Sequence, residues 1–114
     1  MKVELLFISD CPNYLEAWSL LEDVLQAERI SAPIERIRVR TVEDARRLRF
    51  PGSPTIRIDG KDIEEAPKTE YGLRYRRYKG SSGPRGSPTR ALIHQAIRER
   101  SGQLQTGEGP AVGE

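Results

Sequence analysis

A chain of 114 residues, 36% hydrophobic and 32% charged, has the size of one domain, and it contains no run near the ~18 apolar residues that a membrane helix needs. One Cys and one His exclude an internal disulfide and a tetrahedral Cys/His cage, so no metal ligands are assigned. A net charge of +2 is too small to imply a nucleic-acid partner by itself.

After Lys2, the apolar run Val3–Ile8 is broken by Glu4 and meets Ser9-Asp10-Cys11 at once, which is not the pattern of a secretory leader. The expected compartment is the cytoplasm, with no membrane association. Such a nearly continuous run suits a central strand covered on both faces. Pro12 fits a first helical position, and Tyr14, Trp18, Leu21 and Leu25 recur at helical spacing, predicting a helix over 12–28 capped by Asp10 or Cys11. From Ile37, apolar and charged residues alternate up to Arg40, which predicts a strand over 34–40. Thr41-Val42-Glu43-Asp44 resembles a capping box and opens a short helix that Pro51-Gly52-Ser53-Pro54 ends.

Thr55–Ile58 alternates again, and Asp59-Gly60 signals a two-residue hairpin into Lys61–Ile63. The last helix is predicted to be capped by Ser87, with Pro88 at its first position and Leu92, Ile93, Ala96 and Ile97 as its apolar stripe. Glu64–Gly86 is a long connection. Within it Tyr71–Tyr78 is a candidate extra strand and Gly80–Gly86 a mobile loop. Residues 102–114 are expected to form a disordered tail, leaving 1–101 as the domain, with a basic loop insertion at about 65–86.

Cys11 follows the first strand at the predicted start of the first helix. Unsatisfied N–H groups and the positive end of the helix dipole favour a thiolate, the nucleophilic form, and lower a pKa that is ~8.5 in a free cysteine. The competing reading is an inert small residue packed under the helix. Pro54, directly before a hairpin strand, is a candidate for the cis form, which only ~5% of X-Pro bonds adopt. A cis bond would turn the Ser53 N–H and C=O outward, free to pair with an extended peptide or a thiol ligand. On spacing alone, a trans proline ending a loop stands beside it.

Together, the apolar strand, the Cys11-Pro12-Asn13-Tyr14 segment, Leu48–Gly60 with its Ser53-Pro54-Thr55 core, and Tyr71-Gly72-Leu73 resemble the thioredoxin-like superfamily. More narrowly, the chain is similar to small bacterial thioredoxin-like proteins of the "DF family (seleno)protein" group, some of which are described as alkylmercury lyase-like. The resemblance covers about residues 2–64 and 87–100. It implies an α/β fold with a mixed sheet of about four strands and helices on both faces. It also implies a nucleophilic role for Cys11, a cis bond at Pro54, and a binding rim of Pro12, Tyr14, Ser53, Pro54 and Thr55.

Two departures narrow the chemistry. Tyr14 stands where thioredoxins carry the resolving cysteine, and Arg74-Tyr75-Arg76-Arg77-Tyr78 holds no second thiol. The implied activity is therefore monothiol: Cys11 attacks a disulfide, and an external thiol such as glutathione, acting as co-substrate, resolves the adduct. No other cofactor is expected. The expected partner is a small thiol or a disulfide-bearing protein, with room for a homodimer through the hairpin edge or an intermolecular Cys11 disulfide.

The alternative is a non-catalytic binding module for a partner protein, a soft metal or a small thiol ligand. Nucleic-acid binding through the Tyr- and Arg-rich segment 71–90 is the weakest of the three readings, because a solvated loop balancing acidic residues elsewhere accounts for it. His94 is expected to be a partly exposed packing residue.

Overall fold

The apolar run becomes β1 (Val3–Phe7), the strand through which the two cores are joined. The computed structural model describes residues 1–65, 71–78, 83 and 85–112, with side chains to residue 101. The elements that follow are α1 (Tyr14–Ala27), β2 (Ile34–Arg38), α2 (Val42–Arg47), β3 (Thr55–Ile58), β4 (Lys61–Asp62) and α3 (Arg90–Val112). The sheet order is β2-β1-β3-β4, with β1 parallel to β2 and antiparallel to β3, and β3 antiparallel to β4. The chain is thus α/β with a mixed four-stranded sheet.

Successive side chains of a strand point to opposite faces, so a central strand feeds two cores. On one face Val3 and Leu5 meet Ala17, Leu21, Val24 and Leu25 of α1 and Ile93 and Ile97 of α3. On the other, Leu6 meets Val39, Ala45 of α2 and Phe50. Helices therefore cover both faces, and the apolar run is explained by burial on each side.

Local chemistry sets the turns. Asp59 and Gly60 both have positive φ (53° and 84°), the conformation that a two-residue hairpin requires. Thr41 Oγ1 accepts from the Asp44 N–H at 3.0 Å and caps α2, as the sequence pattern implies. Both α1 and α2 end through a left-handed residue that is not glycine: Arg29 (φ 58°) and Arg49 (φ 54°). The Ile30 N–H then reaches back to the Leu25 carbonyl, and the Phe50 N–H to that of Ala45, each at a distance within 2.8–2.9 Å. These bonds satisfy carbonyls that a helix end leaves without partners.

Several boundaries differ from the sequence reading. α1 starts at Tyr14 with Asn13 at its N-cap position, so Pro12 precedes the helix and neither Asp10 nor Cys11 caps it. α3 is capped by Thr89, whose Oγ1 accepts from the Leu92 N–H at 3.1 Å. The Ser87 hydroxyl instead bonds Glu16 of α1. Segment 71–78 makes isolated bridges, Ser53 with Tyr75 and Tyr78 with Arg85, rather than a strand. Of the loop expected over 80–86, residues 80–82 and 84 lie outside the described residues. In the stretch read as a tail, the backbone of 102–112 is described as the continuation of α3, while 113 and 114 lie outside the described residues.

Candidate functional site

The β1–α1 connection and the residues before β3 meet at one end of the sheet. The Ile8 N–H donates to Ser53 Oγ at 3.0 Å, fastening the start of the Cys11 turn to the Ser53-Pro54 step. Asp10, at φ 63°, reverses the chain just before Cys11. The Cys11 carbonyl accepts from the Tyr14 N–H at 3.3 Å, and Cys11 itself is a free thiol of intermediate exposure. Pro12 is exposed. The Ser53-Pro54 peptide bond is cis.

Tyr14 packs toward β1 and β2. Its ring lies against Phe7, with centroids 4.2 Å apart, and its hydroxyl accepts from Arg36 of β2 at 3.4 Å. Arg36 also sits over the Trp18 ring at 4.8 Å. Tyr14 and Trp18 pack at the margin of the α1–α3 core.

For the binding shelf expected at Ser53, Pro54 and Thr55, the structure corrects one point: the Ser53 N–H and C=O do not stand free. All three residues are buried, Ser53 and Thr55 with no exposed surface. The Ser53 N–H donates to the Arg74 carbonyl at 2.8 Å, and the Ser53 carbonyl accepts from the Arg76 N–H at 2.9 Å. Neither group is free. Thr55 Oγ1 donates to the Gly52 carbonyl at 2.6 Å and accepts from Arg76 Nη1 at 3.1 Å. The physical reason is the segment 71–78, which lies along these residues instead of standing off as a solvated loop.

That segment is anchored from within. The Arg76 guanidinium donates to Asp62 Oδ2 at 2.8 Å and to the Glu64 carbonyl, and it stacks 4.4 Å from the Tyr78 ring centroid. Tyr78 is buried, and its hydroxyl donates to the Pro54 carbonyl at 2.5 Å. Burial pushes the Tyr78 phenol well above its ordinary pKa, although the nearby Arg76 charge opposes the shift. Tyr75 stays exposed, and its hydroxyl donates to the Asp10 carbonyl at 3.4 Å, beside Cys11.

On the other flank, Arg85 and Ser87 both bond Glu16 of α1, and the backbone at Gly86 passes close to the Asn13 side chain. Carboxylates of this chain also engage basic residues of the 71–90 segment: Arg76 with Asp62, Arg85 with Glu16, and Arg90 with Asp23.

Asp62 is thus a site-forming residue that the sequence reading did not single out, while Tyr75, Arg76 and Tyr78 were read as part of a candidate strand and of a Tyr- and Arg-rich segment. Arg76 and Tyr78 alternate with exposed Tyr75 and Arg77, but a buried arginine breaks the hydrophobic pattern by which a strand is recognised.

His94 is half-buried, with Nδ1 2.7 Å from Glu28 Oε2. Among the described residues, no group of three or more His, Cys, Asp or Glu side chains is arranged to hold a metal, and no helix is long and apolar enough to cross a membrane. Comparison of the chain with protein-family models, curated proteins and solved structures finds no match.

Proposed function

We propose that this chain is a thioredoxin-like protein in which Cys11 carries out monothiol exchange. The observation that carries the reading is the adjacency of the Cys11 turn and the Ser53-Pro54 step, fastened by the Ile8–Ser53 hydrogen bond at the end of a sheet ordered β2-β1-β3-β4. In that arrangement a thiol of intermediate exposure follows the central strand, and the start of its turn is hydrogen-bonded to Ser53, just before the antiparallel strand β3.

With Tyr14 turned toward Phe7 and no second cysteine in the chain, resolution falls to an external thiol. The test is incubation of the reduced protein with a small symmetric disulfide, followed by mass measurement and then by addition of a monothiol. The expected result is a Cys11 adduct that the monothiol releases, with neither step in Cys11→Ser. Failure of Cys11 to form an adduct, or turnover that survives in Cys11→Ser, overturns the reading.

A second reading, a non-catalytic binding module on the same scaffold, is favoured by one specific feature. Asn13, not Cys11, stands at the N-cap position of α1, so Cys11 lies two residues before the cap. A binding module retains its partner in Cys11→Ser, so a pull-down with that variant separates the two.

A further inference from the structure

An extended chain recognised at Ser53 would need its N–H and C=O, the two groups by which a strand edge holds a peptide. Both are occupied by this chain's own Arg74 and Arg76, in a one-residue parallel bridge centred on Tyr75. The occupant is firmly held. Arg76 is 5% exposed and has Thr55, Asp62 and the Glu64 carbonyl as partners, while Tyr78 is 1% exposed and bonds the Pro54 carbonyl.

Gly52 permits the close approach: a Cβ at that position would stand 3.0 Å from Arg76 Cβ and 3.1 Å from its backbone. Lifting the segment would strip Asp62 of the Arg76 guanidinium and the Pro54 carbonyl of the Tyr78 hydroxyl. Desolvated polar groups left without partners oppose such an opening.

We propose that Arg74–Arg76 is a resident segment filling the main-chain docking edge at Ser53, so that the Cys11 site takes compact low-molecular-weight disulfides and rejects extended polypeptides. This rests on the reading of Cys11 as the reactive thiol. Tyr75, exposed and bonded to the Asp10 carbonyl, is the specificity-determining wall next to that thiol.

The exchange balances without a further oxidant or reductant. The Cys11 thiolate attacks one sulfur of the disulfide, a Cys11–S–S–R bond forms, and the other half leaves as a thiolate. A second small thiolate then attacks the R sulfur, forming a new small disulfide and returning the Cys11 thiolate.

The experiment uses the full reduced chain with two probes, bis(2-hydroxyethyl) disulfide and insulin. Each rate is divided by that of free N-acetylcysteine with the same probe, and amide exchange is followed at Ser53 and Arg76. The normalised insulin rate is expected to fall below the normalised small-disulfide rate by roughly 10-fold or more, because an extended chain must first displace Arg74–Arg76 and leave buried polar groups without partners. Both amides are expected to be protected.

Equal normalised rates, or a Ser53 amide exchanging as fast as an open loop, overturn the proposal. Reaction with insulin alone overturns the substrate assignment while leaving the thiol reading standing. Reaction with neither probe, with both amides protected, overturns the thiol reading and the substrate assignment with it.

Discussion

Arg76 Nη1 lies 2.8 Å from Asp62 Oδ2, with the arginine side chain only 4% exposed, so that the segment 71–78 is tied to the β3–β4 hairpin by a buried ion pair. A buried guanidinium is tolerated only when its hydrogen-bonding capacity is met. Thr55 Oγ1 and the Glu64 carbonyl take further N–H groups, and the face of the Tyr78 ring takes the cation. This one side chain converts a Tyr- and Arg-rich connection into a wall of the candidate site.

Removing the guanidinium leaves the Asp62 carboxylate without its main partner. Arg76→Met is expected to cost about 3 kcal/mol, the lower end of the range for breaking a buried pair, because Asp62 is itself partly exposed. Urea unfolding read by circular dichroism checks it. The double variant Arg76→Met/Asp62→Leu should recover part of the loss. A single variant as stable as the parent would show that the pair contributes nothing.

Gly52 combines a φ of +147° with the close approach of Arg76. Gly52→Ala is therefore expected to cost about 2 kcal/mol through backbone strain, and to loosen the Arg74–Arg76 pairing. Faster amide exchange at Ser53, with exchange in α1 changed no more than the global loss requires, is the signature. An unchanged Ser53 amide would mean that the segment does not depend on the glycine.

Glu28, near the end of α1, accepts from both His94 and Arg98 of α3. The hydrogen bond from His94 is the largest influence on its carboxyl; burial opposes it, and the hydrogen bond and charge of Arg98 add to it, so that the carboxyl is held below its ordinary value. A depressed folded-state pKa means that the stabilisation is present above the unfolded value of about 4.5 and is lost as pH falls through the folded one. Glu28→Gln should therefore lower stability at neutral pH and converge with the parent in strong acid. Thermal melts across pH 2–7 test this, and parallel curves would refute it.

Tyr78 behaves in the opposite sense. Its folded-state pKa is raised, chiefly by burial, so its contribution is complete below the ordinary phenol value of about 10 and is lost as pH rises toward the folded one. Absorbance titration should show one of the four tyrosines ionising only together with unfolding. Independent ionisation of all four tyrosines in the folded protein would place Tyr78 in contact with solvent.

The sequence by itself determined the α/β order, the burial of Val3–Phe7 on both faces, the Asp59-Gly60 hairpin and the Thr41 cap. Each of these is written in neighbours a few residues apart, where periodicity and turn chemistry act. It also placed Cys11 and Ser53-Pro54-Thr55 in one region, through a resemblance rather than through spacing.

Tertiary structure decided the rest. Thr89 rather than Ser87 caps α3, since the Ser87 hydroxyl is drawn to Glu16 of a distant helix. Arg29 and Arg49 close their helices without the glycine that would mark such an end. The Ser53 edge is filled by Arg74 and Arg76, a pairing between segments with no shared local pattern. A hydrogen bond between remote parts of the chain depends on where the folded core brings them, and a buried arginine leaves no hydrophobic periodicity from which its position could be read.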